Sequence, residues 1–284
     1  MPEVAAMAAA QPTEGAGTPA LRLEGVTCTF PSPDGRGRTY TAVQGVNLSV
    51  ADGEFVSIVG PTGSGKSTIL NVAAGLLSPS EGRALTFGKP VSGINPHAGY
   101  MFQADALMPW KSALENVAAG LEFRGVPKRE AEERARPWLA RVGLDRFGDR
   151  YPHQLSGGMR KRVALAQTLI VDPKIVLMDE PFSALDIQTR QLMENELLDL
   201  WSADRKSVVF ITHDLEEAIS MSDRVLVLSA GPGARLIGEY RVDLDRPRDV
   251  AEIRMTPRFL DLHREIWGQL REEVLKGYAQ TKLK

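Results

Sequence analysis

Apolar and polar residues alternate along Leu21–Phe30 and again along Ala42–Val50, the period-two pattern of half-buried strands. The turn-rich Pro31–Arg38 between them predicts a hairpin tip. A tight turn, Ala51-Asp-Gly-Glu54, then leads into an apolar run, Phe55-Val-Ser-Ile-Val59, which predicts a buried strand. A second run, Ile69-Leu-Asn-Val-Ala-Ala74, predicts a helix reaching Leu77, where Ser78-Pro-Ser-Glu-Gly82 stops it. Short strands are predicted at Arg83–Phe87 and Ala98–Phe102.

The texture then changes. From Leu107 to Val171 the pattern is helical, with no good strand. Ser112 and Glu115 have the spacing of a capping box for a helix through Leu121. Lys128–Val142 is charged and amphipathic, and Pro137 inside it suggests a fresh helix start. Ser156-Gly-Gly158 opens a helix from Met159 to Ile170, ended by Asp172-Pro173. Strands and helices then alternate: strand Ile175–Met178, helix Gln188–Trp201, strand Ser207–Ile211, a short helix, strand Arg224–Leu228, and Ala234–Val242 after the turn Gly231-Pro-Gly233. Leu192, Glu196, Leu197, Leu200 and Trp201 predict the buried face of the Gln188–Trp201 helix. An amphipathic helix, Pro257–Lys276, closes the pattern after the polar Asp243–Asp249. Such alternation implies a parallel sheet, here with a helical block inserted into it.

Composition narrows the classes. With 284 residues and a formal charge of −2, the chain can bury a large core and shows no basic stripe for nucleic acid. The single Cys28 excludes an intramolecular disulfide and a cysteine metal cluster, and reads as a buried strand thiol, which fits a reducing compartment. No stretch has the roughly 18 apolar residues that a membrane span needs. The Ala-, Pro- and Gly-rich residues 1–20 lack a basic leader and read as a disordered tail, not a signal peptide.

The candidate chemistry centres on Gly60-Pro-Thr-Gly-Ser-Gly-Lys-Ser-Thr68, between the buried strand and the helix. Its spacing fits the phosphate-binding P-loop: glycines let the backbone approach an anion, Lys66 reaches the phosphates and Ser67 helps hold Mg²⁺. The alternative is a plain Gly-rich turn, but the strand–turn–helix setting is the one the motif requires. Asp179 and Glu180 end the next apolar strand at its carboxyl edge, where parallel sheets bind ligands. Neighbouring strand residues face opposite ways, so Asp179 would address the metal and Glu180 a water, as general base. A solvated acid pair is the competing reading. His213 ends a later strand, with Thr212 or Asp214 available to cap the helix behind it, and its position suits a γ-phosphate contact. Ser156-Gly157-Gly158 is a second Gly-rich helix start and so a second anion site, or simply a flexible cap.

In this order and spacing the motifs closely resemble the ATP-binding-cassette family over Leu21–Val242. The resemblance implies an α/β P-loop NTPase fold: a parallel-sheet core, an antiparallel β subdomain and an inserted α-helical subdomain at about 105–172, with 243–284 as a C-terminal helical extension. It implies that ATP and Mg²⁺ are held by the motif Gly60, Pro61, Thr62, Gly63, Ser64, Gly65, Lys66, Ser67 and Thr68. Phe30 matches the aromatic that stacks on adenine, with a core strand Phe as the alternative. Gln103 matches the glutamine contacting Mg²⁺ and water, Leu155–Met159 the signature, Asp179 and Glu180 the metal acid and catalytic Glu, Ser183-Ala-Leu-Asp186 the D-loop and His213 the switch His. Met159 stands for the commoner Gln, as is usual in one subgroup, Lys161 stands where Gln is frequent with no change of function attached, and His153-Gln154 replace a frequent acid.

Met101–Trp110, Tyr151–Arg160 and Thr256–Leu260 resemble bacterial importers of nitrate, sulfonates or taurine. That implies a peripheral ATPase on the cytoplasmic face of the inner membrane, with Ser156 and Gly158 acting in trans in a homodimer. It implies permease subunits, with Leu107, Met108 and Trp110 either contacting them or packing locally, a periplasmic solute-binding protein, and no nucleic acid. Other readings are an exporter ATPase, a non-transport cassette acting on DNA or ribosomes, and a nucleotide-binding module without turnover. The short gap between P-loop and signature, the single cassette, and the presence of Glu180 and His213 weigh against the last two.

Overall fold

The computed structural model describes residues 17–32 and 37–281. Most of the predicted tail, 1–16, and the tip of the predicted hairpin, 33–36, lie outside the described residues. The elements run β1 (Leu21–Pro31), β2 (Thr39–Val50), β3 (Phe55–Val59), α1 (Lys66–Ala73), β4 (Glu81–Thr86), β5 (Lys89–Pro90) and β6 (Ala98–Met101). Next come α2 (Ala113–Phe123), α3 (Lys128–Arg141), α4 (Gly157–Leu169), β7 (Ile175–Asp179), α5 (Ile187–Ala203), β8 (Ser207–Ile211) and α6 (Leu215–Met221). The chain ends with β9 (Arg224–Leu228), β10 (Leu236–Arg241), α7 (Val250–Ile253) and α8 (Pro257–Thr281).

Two sheets form. The larger has the order β10-β9-β3-β8-β7-β6, parallel except where β10 runs antiparallel to β9. All of β3 and β8 is buried, as parallel strands covered on both faces must be, which explains why they are apolar at every position but Ser57 and Ser207. The smaller sheet, β2-β1-β4-β5, is antiparallel and alternates because one face packs inward. Leu23, Val26, Val46 and Leu48 from that face join Ile58, Ile69 and Leu70 in one core, which clamps α1 between the sheets.

Helices α2, α3 and α4 pack around a separate core of Val117, Leu121, Ala135, Leu139 and Val163. The capping box forms as the spacing predicts: Glu115 N donates to Ser112 Oγ at 3.3 Å, and Ser112 N donates to Glu115 Oε2 at 2.9 Å. Two local expectations change. Pro137 does not restart α3, because it lies on the exposed face, where the carbonyl it leaves without a donor can meet water. In α5, Leu192 is 59 % exposed, and the buried face is Met193, Glu194, Leu197, Leu198 and Trp201. Glu194 can turn inward because Arg254, from the segment after α7, meets it at 3.0 Å. No helix among the described residues is long and apolar enough to cross a membrane.

Candidate active site

The turn 60–65 joins β3 to α1 and needs two left-handed residues, Gly63 at φ 78° and Gly65 at φ 82°. A Cβ on Gly65 would come within 2.5 Å of Val43 Cγ1, so β2 presses directly on the turn. Gly65 is also the N-cap of α1, and no side chain caps the helix, leaving its first N–H groups for an anion. Lys66 is folded back over the turn, its Nζ donating to Gly60 O at 2.8 Å and Pro61 O at 3.0 Å. Burial lowers its pKa, against the pull of Glu180 and Asp179. A largely buried cation held by two carbonyls is poised to exchange them for phosphate oxygens.

The acids close the other side. Asp179 accepts hydrogen bonds from the Ser67 and Tyr100 hydroxyls, the latter at 3.5 Å. Burial raises its pKa above the usual carboxylate range, with Glu180 adding to the rise and Ser67 and Lys66 opposing it. Glu180 has φ 43°, a left-handed conformation that is costly for a non-glycine residue, and its N–H is tied to Ile211 O at 2.9 Å. That backbone, more than strand alternation, aims its carboxylate: Glu180 Oε2 lies 3.1 Å from His213 Nδ1 and 3.4 Å from Gln103 Nε2. Asp214, not Thr212, caps α6, accepting from Glu216 N and Glu217 N, and Thr212 Oγ1 instead receives Asp214 N at 3.0 Å.

Phe30, Thr62–Thr68, Gln103, Glu180 and His213 line one open pocket of about 570 Å³. Gly60, Pro61 and Asp179 lie just behind its wall through the bonds to Lys66 and Ser67. Tyr40, cross-strand partner of Phe30, and Ala42 also line it, and sequence reading missed both. The signal for Tyr40 was its register opposite Phe30, which only the pairing of β1 with β2 reveals. A larger cavity, about 620 Å³ beside Trp138, Leu169 and Trp201, contains none of these residues.

Ser156, Gly157, Gly158 and Asp186 do not line the pocket. Ser156 Oγ caps α4 by accepting from Met159 N at 3.3 Å, and Asp186 caps α5 by accepting from Thr189 N at 3.0 Å. Behind Ser156 is an ion cluster that the sequence did not announce. Arg160 Nε donates to Asp105 Oδ2 at 2.8 Å, while buried Lys161 meets Asp105 Oδ1 at 3.2 Å and donates to Gln103 O at 2.5 Å. The start of α4 is thus bound to the segment carrying Gln103. Leu107 packs into the core, whereas Phe102 and Trp110 on the same segment stand exposed.

A phosphate-binding turn facing an acid held between an imidazole and an amide is suited to phosphoanhydride hydrolysis. The ABC transporter family model matches residues 43–183. An uncharacterised ABC transporter ATP-binding protein of Methanocaldococcus jannaschii is 47% identical over 90% of this chain and 93% of its own length. A taurine import ATP-binding protein of Rhizobium johnstonii is 44% identical over 81% of this chain and 89% of its own. The dimeric structure of a post-hydrolysis ATP-binding cassette bound to ADP and Pi superposes with a TM-score of 0.70 at 34% identity, covering 79% of this chain and 100% of that one. With its two sheets, helical block and phosphate-binding turn, the chain belongs to the ABC transporter ATP-binding family and is an ATPase.

Proposed function

We propose that this chain is the ATP-hydrolysing subunit of a bacterial importer for a small anionic solute such as nitrate, a sulfonate or taurine, working on the cytoplasmic face of the inner membrane. The observation that carries the catalytic reading is the Glu180 carboxylate, held by His213 at 3.1 Å and Gln103 at 3.4 Å, in the same pocket as Lys66. From there it can orient a water in line with a γ-phosphate seated on the 60–68 turn. Glu180 takes the proton of that water as it attacks. His213 contacts the γ-phosphate and keeps Glu180 oriented, and Lys66 leaves its two carbonyls to neutralise phosphate charge. Phe30, with Tyr40 across the strand pair, offers an aromatic wall for adenine.

Ser67, Asp179 and Gln103 supply hard oxygen donors, and the buried Asp179 carboxylate is matched only in part by Lys66, a set that fits Mg²⁺. When bound, the ion would neutralise charge on the β- and γ-phosphates. Ser156–Gly158 cap α4 outside the pocket of their own chain, which supports a homodimer in which they close the partner's ATP site. Exposed Phe102 and Trp110, on the segment that carries Gln103, are the surface offered to permease subunits, and a periplasmic solute-binding protein would select the solute. The taurine import relative supports the importer reading.

Glu180→Gln tests it. The variant keeps ATP affinity, loses phosphate release, and accumulates as a nucleotide-bound dimer on size-exclusion chromatography. Hydrolysis at the normal rate removes Glu180 from the role of base.

A further inference from the structure

The C-terminal helix α8 reaches the nucleotide site from behind. Its buried stripe, Phe259, Leu262, Ile266 and Leu270, packs with Val59, Ala218 and Val227, which fixes the helix against β3, α6 and β9. Past Leu270 the contacts become specific. Glu273 is buried, and its Oε2 accepts the N–H of Ala230 at 2.8 Å, while Lys276 holds the other oxygen at 2.5 Å. One turn later Gly277 meets the phosphate-binding turn itself: a Cβ there would lie 3.3 Å from Pro61 Cβ and 4.0 Å from Ala230 Cβ. The loop after Ala230 leans on the same turn, since a Cβ on Gly231 would stand 3.0 Å from Gly63 O. Pro61 is therefore touched on one side by α8 while its carbonyl holds Lys66 on the other. Glycine is a poor choice inside a helix, and the approach to Pro61 is the packing reason for accepting it.

We propose that Glu273 and Gly277 are positioning residues for ATP binding. The end of α8 holds Pro61 and the Ala230 loop at the spacing at which the 60–68 turn accepts a triphosphate, and so sets ATP affinity without touching the nucleotide. The inference rests on the assignment of 60–68 as the ATP-binding turn. Coupling of this kind is reciprocal, so whatever displaces α8 weakens ATP binding, and ATP tightens α8 on the turn.

The test uses the full chain, with ATP affinity measured by titration and KM and kcat by phosphate release. Gly277→Ala has two opposed effects. Alanine favours the helix, which offsets the strain of the methyl against Pro61 and keeps thermal stability near the parent's, yet the displaced Pro61 weakens ATP binding. Gly277→Leu pushes further and is expected to weaken binding about tenfold, and Glu273→Leu about fivefold, with kcat at saturating ATP retained. Glu273→Gln keeps an acceptor for Ala230 N and should restore affinity to within about twofold of the parent. Parent-like affinity in Gly277→Ala, Gly277→Leu and Glu273→Leu overturns the proposal, as does a loss confined to kcat. Lys66→Ala separates the two readings. If it binds ATP normally, the assignment of the turn fails. If it loses ATP while the α8 variants keep it, only the bracing role fails.

Discussion

Lys161 offers the most exacting check on how the start of α4 is tied to the catalytic pocket. Lys161→Met keeps the length of the side chain but removes its charge and donors. The ammonium donates to Gln103 O at 2.5 Å and pairs with Asp105 at 3.2 Å, with 3% of the side chain exposed. Breaking a buried ion pair usually costs about 3–5 kcal/mol, because a charge is left stranded. Asp105 is not stranded here, since Arg160 still reaches it at 2.8 Å. What is lost is one charge-assisted bond and the donor to the Gln103 carbonyl, so the cost should be about 2–3 kcal/mol. For a chain of this size that lowers the melting temperature by about 5–10 °C. The functional consequence follows from the same residue. Gln103 Nε2 reaches Glu180 at only 3.4 Å, so a loosened backbone at Gln103 lets that contact go. Well below the melting temperature, kcat for phosphate release should fall several-fold. KM for ATP should change less than kcat, because the 60–68 turn is untouched and only one of the proposed Mg²⁺ donors, Gln103, is loosened. Asp105→Asn should move kcat the same way. A melting temperature within about 1 °C of the parent would refute the energetic reasoning, and a destabilised variant with full kcat would refute the link to Gln103.

Two further outcomes test the structure independently. Burial raises the Glu217 carboxyl to about 8 and that of Glu194 to about 7, both between α5 and α6, so the folded chain keeps protons that the unfolded chain sheds near 4.5. Stability should therefore fall as pH rises from about 5 to 8, and Glu217→Gln should flatten the fall in melting temperature across that range; parallel profiles would contradict the buried acid. Gly65→Ala and Gly63→Ala carry similar left-handed strain, but only at Gly65 would the methyl strike Val43, at 2.5 Å, whereas nothing lies within 4 Å at Gly63. Chemical denaturation should thus show about 1–2 kcal/mol for Gly63→Ala and clearly more for Gly65→Ala, with ATP binding lost in the latter.

Much of this molecule is written locally. The near-continuous apolar runs of β3, β7 and β8 dictate buried parallel strands, because a strand covered on both faces has no polar side to show. Ser112 and Glu115 announce the start of α2 within four residues, and the glycines of 60–65, between a buried strand and a helix, announce a turn suited to an anion. Those features depend on neighbours in the chain, so a single sequence carries them. The tertiary structure decided what distant segments do to one another. Helix α5 exposes Leu192 and buries Glu194 because Arg254 arrives from far along the chain. Lys161 looks like a plain substitution until Asp105 and Gln103 are folded against it. Tyr40 enters the pocket only through its register with Phe30. The direction of the Glu180 carboxylate follows from a left-handed backbone tied to Ile211, which no residue pattern encodes. The sequence by itself determined the elements and the chemical groups, through periodicity and turn chemistry. Their distances were decided by packing, because a contact between residues far apart in the chain leaves no periodic trace in either segment.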